Sequence, residues 1–191
     1  MLKELRCAIA FTVTTMVLFG GVYPLALWGL GGIAFAEQTA GSLVRGADGT
    51  IAGSRLIAQA FTQPQYFHPR PSAVAYNAAA TGGSNYGPSN PDHLQLVLER
   101  IDEMSRREGV RASQVPSEML TASGAGLDPH IPPAAADLQL GRVAAARGIS
   151  IDRVRELVQA HTEPPTLGVL GRARVNVLEL NLALDELVKE R

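Results

Sequence analysis

From Cys7 to Ala36 the chain carries thirty consecutive residues without a formal charge, rich in Leu, Val, Ile, Phe and Ala. Read as a helix with a rise of about 1.5 Å per residue, this run reaches about 45 Å, against a bilayer hydrocarbon core of roughly 30 Å. It predicts a membrane span over about 8–34, so that residues 1–36 form an anchor and residues 37–191 a hydrophilic block on one side. The competing reading is a cleaved signal peptide, because Ala34-Phe35-Ala36 before Glu37 fits a small-x-small site. A secretory apolar region typically covers about 7–15 residues, roughly half of this run, which favours a retained anchor. The run is broken by Gly20-Gly21, Pro24, Gly29 and Gly31-Gly32. Small residues allow close helix approach in a membrane, and a proline kink needs neighbours for the freed backbone groups. The expectation is a helix packed on a larger membrane partner; an ordinary tilted anchor is the plainer alternative.

Flanking cations set the orientation. Lys3 and Arg6 precede the run, and the next basic residue is Arg45. The positive-inside rule places the N-terminus in the cytoplasm and residues 37–191 on the extracytoplasmic face. Cys7, the one cysteine, lies in or beside the membrane, so the outer block has no disulfide to form and must fold by its own core. Setting aside Lys3, Arg6 and Glu4, that block keeps 15 of the 17 cations and 17 of the 18 acids. This near-balance, without a basic run, lacks the cationic footprint that nucleic-acid binding needs.

Residues 37–92 are dense in Gly, Pro, Ser, Asn and Thr yet hold Leu56, Ile57, Phe61, Tyr66, Phe67, Tyr76 and Tyr86. Disordered composition lacks such anchors. Residues 41–45 and 50–53 predict a hairpin around Ala47-Asp48-Gly49. Pro64 to Pro91 reads as an ordered irregular segment whose Gly82-Gly83-Ser84-Asn85 turn calls for positive φ. Long irregular segments of compact domains are commonly binding surfaces.

Helices follow. Asn90 caps one that begins at Pro91, turns Leu94, Val97, Leu98, Ile101 and Met104 to one face, and stops at Gly109. A second runs from Pro133 to Gly148. Ser150 caps a third, with Ile151, Val154, Leu157 and Val158 facing inward. Asn176-Val177-Leu178-Glu179 has the cap-x-x-Glu pattern of a fourth, continued by Leu180, Leu184 and Leu187. A strand through Leu178, Leu180, Leu182 and Leu184 competes there. The fold class expected is α+β: one N-terminal transmembrane helix, then a single mixed domain with an irregular Gly/Pro-rich first half.

Catalytic signals are weak. His68, His93, His130 and His161 show no metal-ligand spacing. Ser123, with Asp128 and His130 nearby, invites a nucleophile reading. Three residues within eight positions do not readily converge on one reacting atom, and G-x-S-x-G is absent. Gly82–Asn85 could cradle a phosphate but lacks the Gly-Lys-Ser/Thr ending of a P-loop. An anchored hydrolase using Ser123 or His130, and an anchored solute-binding module, stay open as alternatives to an accessory subunit.

Several stretches together carry a resemblance. They are Tyr23-Pro24, Gly41-Ser42-Leu43, Gly53-Ser54-Arg55-Leu56-Ile57-Ala58-Gln59, Tyr66-Phe67-His68-Pro69-Arg70-Pro71-Ser72-Ala73 and Gly82-Gly83-Ser84-Asn85. The later half adds Ala122-Ser123-Gly124-Ala125-Gly126-Leu127-Asp128-Pro129-His130-Ile131, Gln139-Leu140-Gly141-Arg142-Val143-Ala144 and Val175-Asn176-Val177-Leu178-Glu179-Leu180-Asn181. In this order, nearly end to end, the chain resembles the C subunit of the Kdp-type potassium-transporting P-type ATPase. Ala58 stands where that family usually has Gly, and Ala125 where it often has Ser.

The resemblance implies a non-catalytic subunit of an ATP-driven potassium uptake complex in the bacterial inner membrane. Its partners would be a P-type ATPase subunit, a channel-like potassium-binding subunit and membrane lipid. The aspartyl-phosphate motif Asp-Lys-Thr-Gly-Thr is absent here, in keeping with that division. The family role is assembly, or that of a catalytic chaperone that raises the ATP affinity of the ATPase subunit. A glutamine contact to ATP would fall on Gln139, whose plainer reading is a polar helix position near Arg142. The docking face expected for the partners is Pro64–Pro91, through Tyr66, Phe67, Arg70, Gly82, Gly83, Ser84 and Asn85.

Overall fold

The computed structural model describes residues 1–46 and 48–189. The chain divides into two compact units, Met1–Ser42 and the remainder from Leu43.

The first unit is a helix that changes winding once. α1 covers Leu2–Val17 and α2 covers Tyr23–Ala34, with a π-helical stretch Leu18–Val22 between them. The Tyr23 N–H bonds to the Leu18 carbonyl, five residues back. Pro24 explains the widening: it has no N–H to offer the turn before it, and its ring would collide with the carbonyl four residues back. The proline expected to kink the helix is thus absorbed as a π-bulge. Leu2–Ala34 is 33 residues long and apolar enough to cross a membrane, and it buries none of its most apolar window within the unit. A short α3, Ala36–Thr39, follows.

The second unit is mixed α/β. β1 (Leu43–Arg45) and β2 (Ile51–Ser54) form the expected antiparallel hairpin, with a register shift between Val44 and Arg45. Of its turn signal, Gly49 is left-handed at φ 79°, whereas Ala47 lies outside the described residues. Residues 55–90 then run without a helix or strand. α4 covers Pro91–Glu108, and two short 3₁₀ turns lead to β3, His130–Ile131. α5 (Pro133–Arg147), α6 (Ile151–Ala160), β4 (Thr162–Glu163), β5 (Arg174–Asn176) and α7 (Val177–Lys189) complete the chain. The three strands pair antiparallel in the order β3-β5-β4.

Local chemistry accounts for the ends of these helices. Asn90 Oδ1 accepts from the N–H groups of Asp92 (2.8 Å) and His93 (3.4 Å). Gly109 and Gly148 terminate α4 and α5 in the left-handed conformation, at φ 68° and 65°. Ser150 Oγ caps α6 through Arg153 N–H at 3.4 Å. Asn176 Oδ1 accepts from Leu178 and Glu179 N–H at 3.1 and 3.2 Å, so the last segment is a helix and not the competing strand.

α5 packs on α4 and α6, and α7 packs on α6 and β5. Phe67, Ile131, Val143, Val154, Val175, Leu180 and Leu184 fill the space they enclose. Two parts of the expected core are corrected. Leu94 and Leu98 are 53% and 61% exposed, and Ile151 is 45% exposed. At about 100° per residue, Leu94 and Leu98 lie roughly 60° and 100° round from Val97. Both lie off the face that carries Met104, the buried residue of α4. Of the aromatic anchors in 37–92, Phe67 alone is fully buried.

Candidate functional site

Two helices reach out to hold one irregular strand of chain. Gln139 and Arg142 lie three apart on α5, and Asn181 and Asp185 four apart on α7, spacings that put each pair on one helix face. The Gln139 amide brackets the backbone of His68: its Oε1 accepts from His68 N–H at 2.8 Å, and its Nε2 donates to the His68 carbonyl at 3.1 Å. Asn181 does the same for Phe67, with Oδ1 accepting at 2.8 Å and Nδ2 donating at 2.9 Å. Each side-chain amide substitutes for a neighbouring β-strand, so a segment with no ladder of its own still has its polar groups satisfied.

Two guanidinium groups extend the clamp. Arg142 Nη1 donates to the carbonyls of Pro64 (2.5 Å) and Tyr66 (2.8 Å), and its Nη2 to Gln139 Oε1 at 2.7 Å. Arg142 Nε pairs with Glu108, whose side chain is fully buried and is also met by Arg107 Nε at 2.9 Å. Arg147 donates to the Gln65 carbonyl (2.7 Å) and to Asp185 Oδ1 (2.7 Å). Its guanidinium carbon lies 5.0 Å from the centre of the Tyr66 ring, and the Tyr66 hydroxyl donates to Asp185 Oδ2 at 3.1 Å. Burial, then the Asp185 charge, raise the Tyr66 pKa, keeping that hydroxyl a donor. Burial and then the Arg142 charge push His68 down to about 4, so it is neutral inside the clamp at neutral pH.

A second seam joins residues 70–83 to 123–128. Arg70 donates to the Glu118 carbonyl and to Asp128 Oδ2, both at 3.2 Å. Ser72 Oγ donates to the Gly126 carbonyl at 2.7 Å, Ser123 N–H to Pro71 at 3.1 Å, and Gly82 N–H to Ala125 at 3.1 Å. Gly126 sits at φ 71°, where an added Cβ would lie 2.6 Å from Val74. Burial works against the charge on Asp128, and the His130 side-chain and backbone bonds together with Arg70 override it and lower its pKa.

The expected site residues separate accordingly. Phe67, expected on a docking face, has no exposed surface and belongs to the core. Its alternation with Tyr66 and His68 turns it inward. Tyr66 and Arg70 are half-buried and committed to internal partners. Gly82 and Gly83 are half-buried, while Ser84 and Asn85 are exposed. Within that turn positive φ falls on Asn85 (55°) and on neither glycine. Gly83 is required instead by proximity, because a Cβ there would stand 3.0 Å from the Gly124 carbonyl oxygen.

Gln139 is fully buried, and both ends of its amide are hydrogen-bonded within the domain, the donor end also to Ala135 at 3.1 Å. Ser123 is 3% exposed and its Oγ accepts from Asp128 N–H at 3.5 Å. His130 Nδ1 turns to Asp128 Oδ1, 3.6 Å away. Asn181, Glu108, Arg147 and Asp185 were not singled out by the sequence reading. Asn181 had a signal: a polar residue between Leu180 and Leu184 on a buried helix face must find a partner.

A mixed domain behind an apolar helix, built to hold an irregular loop in one shape, has the make-up of a membrane-anchored accessory subunit. The family described as K+-transporting ATPase, c chain (KdpC) matches residues 5–186, and the chain belongs to it. A potassium-transporting ATPase KdpC subunit of Xanthomonas oryzae pv. oryzae is 50% identical over 182 residues, 95% of this chain and 87% of its own. Proteins of the same description from Geobacter sulfurreducens (48% over 190 residues, 98% and 100% covered) and Polaromonas naphthalenivorans (50% over 186 residues, 96% and 94% covered) are similarly close. The chain is thus an accessory subunit of a potassium-transporting ATPase.

Proposed function

We propose that this subunit crosses the inner membrane once with its N-terminus in the cytoplasm, and that the domain after it docks on the extracytoplasmic side. There it would cover the outer mouth of the channel-like potassium-binding subunit, hold the complex together and shape ion access. The observation that carries the orientation is the charge-free run with Lys3 and Arg6 before it and no further cation until Arg45. The loop surface around Ser84 and Asn85 is the contact offered to the partner, held in shape by the seam at Gly126.

On this orientation, ATP in the cytoplasm is separated from Gln139 by a hydrocarbon layer of about 30 Å. The ATP affinity of the P-type ATPase subunit would then be raised indirectly, through assembly. Gln139 acts as a bracket on His68 rather than as a nucleotide contact; all four of its hydrogen bonds are already made inside the domain.

Ser113 is exposed and suits a topology test. Ser113→Cys in a Cys7→Ser background should react with a membrane-impermeant maleimide added outside intact cells. Labelling only after the cytoplasm is opened would overturn the orientation and restore direct nucleotide contact. Purification through this chain should also bring down two larger membrane subunits, and their absence would overturn the docking proposed for the domain.

A further inference from the structure

A cleft of about 480 Å³ opens between α4 and the irregular segment of residues 60–76. Phe61, Tyr76, Met104 and Met119 give it apolar walls, and Arg100, Glu103 and Arg107 of α4 line it together with His68. An apolar lining of that size with a few placed polar groups is the make-up of a small-molecule site.

Charge in the cleft is one-sided. Arg100 and Arg107 stand seven residues apart, about two turns along one side of α4. Arg100 Nη1 donates to the Leu120 carbonyl at 2.7 Å, and among the described residues Arg100 enters no ion pair. Arg107 Nε meets Glu108, a carboxylate that Arg142 already shares, while its Nη2 is directed at the Met104 thioether, a weak acceptor. Glu103 is the one acidic lining residue; it is 64% exposed and touches Arg107 loosely at 3.4 Å. His68 adds no charge, because burial, then Arg142 and, more weakly, Arg107 hold its pKa near 4. Two guanidinium groups thus face one solvated carboxylate.

The Tyr76 wall is built at a cost. Ala75 and Tyr76 are held at φ 51° and 58°, left-handed backbone that residues other than glycine seldom adopt. Strain of this kind gathers at sites where a fixed shape is used. Tyr76 N–H donates to Ser72 Oγ at 3.0 Å and its hydroxyl to the Arg70 carbonyl at 2.9 Å, so the ring is set before any ligand arrives. Burial raises the pKa of that hydroxyl while Arg107 and Arg100 work against it, so both guanidinium groups act at the same edge of the cleft.

We propose that this cleft binds a small organic anion, its carboxylate or phosphate head on Arg100 and Arg107 and its apolar body against Tyr76, Phe61 and Met119. Both halves are needed. An inorganic anion would leave the apolar walls uncovered, and an uncharged body would gain nothing from the guanidinium groups. The site stands apart from the partner contact at Ser84 and Asn85 and does not depend on which side of the membrane the domain occupies.

The test uses the full chain in dodecyl maltoside micelles, with para-fluorophenyl phosphate as probe, followed by its fluorine resonance. The resonance should broaden with the chain and not with empty micelles. Inorganic phosphate, which lacks the body, and para-fluorophenol, which lacks the anion, should each compete about tenfold more weakly than the unlabelled phenyl phosphate. Arg100→Gln should weaken probe binding about tenfold, and Arg100→Lys should restore part of it. Because Arg100 also braces Leu120, a second variant is Thr62→Trp, which fills the mouth of the cleft from an exposed position. It should abolish the broadening at an unchanged melting temperature. Equal broadening by empty micelles, binding that both Arg100→Gln and Thr62→Trp leave intact, or competition by inorganic phosphate or para-fluorophenol as strong as by phenyl phosphate overturns the proposal.

Discussion

Gln139 and Asn181 show how one polar side chain can stand in for a strand. Replacing Gln139 by Ala would leave the His68 N–H and carbonyl without these partners and remove one of the acceptors of the Arg142 guanidinium. Unsatisfied buried groups cost about 1–3 kcal/mol each, so Gln139→Ala should lower unfolding stability by about 3 kcal/mol, measured by denaturant titration. If Gln139 instead met nucleotide, the same variant would keep its stability and lose ATP-dependent behaviour. Asn181→Ala should cost about 2 kcal/mol by the same measurement. His68 adds a pH term with a definite sign. Its folded pKa is about 4, below the ordinary 6.5, because burial and then Arg142 disfavour the cation. The unfolded chain therefore takes up a proton near pH 6.5 that the folded domain refuses until about pH 4. Stability present above pH 6.5 should drain away as pH falls through that window, and His68→Gln should flatten the loss between pH 7 and 5.

Elements in this domain are positioned by glycines of two kinds, and substitutions should tell them apart. Gly148 closes α5 at φ 65°, with open space where a Cβ would be added. Gly148→Ala should cost about 1 kcal/mol, the strain of a left-handed alanine. Gly126 has the same sign of φ, but its Cβ would meet Val74 at 2.6 Å, the Gly82 carbonyl at 3.0 Å and Ser72 Oγ at 3.1 Å. Gly126→Ala should therefore cost about 3 kcal/mol and loosen the seam between residues 70–83 and 123–128, seen as faster amide exchange at Gly82 and Ser123. Equal costs at the two positions would mean the seam is not tightly closed in solution. In the membrane unit, Pro24 governs winding in the same local way: one missing N–H converts five residues to a π-turn.

At the scale of the whole molecule the two units differ in what they need. The second unit owns its core, from Phe67 through Leu184, and makes no disulfide, so a chain beginning at Leu43 should unfold cooperatively with one sigmoidal transition by circular dichroism. A broad, non-cooperative melt would show that the anchor contributes to the fold. The first unit buries none of its most apolar window against itself and needs lipid or neighbouring helices.

Much of this was legible because it depends on near neighbours. The charge-free run, the Asn90, Ser150 and Asn176 caps and the closing glycines act within a few residues, so pattern and cap chemistry located the span and the helices of the second half. The resemblance carried by the irregular stretches pointed to the family. The site was less legible. The burial of Gln139 and Asn181 was not anticipated, and their partners lie 71 and 114 residues away, pairings that no local pattern encodes. The same holds for the direction of Phe67, expected at the surface and found in the core, and for Leu94 and Leu98, expected inside and found exposed. By itself the sequence determined the membrane run, the helix ends and the family. Tertiary structure alone decided which polar residues clamp the loop and which apolar residues remain uncovered, because burial and hydrogen-bond satisfaction are settled only when distant segments meet.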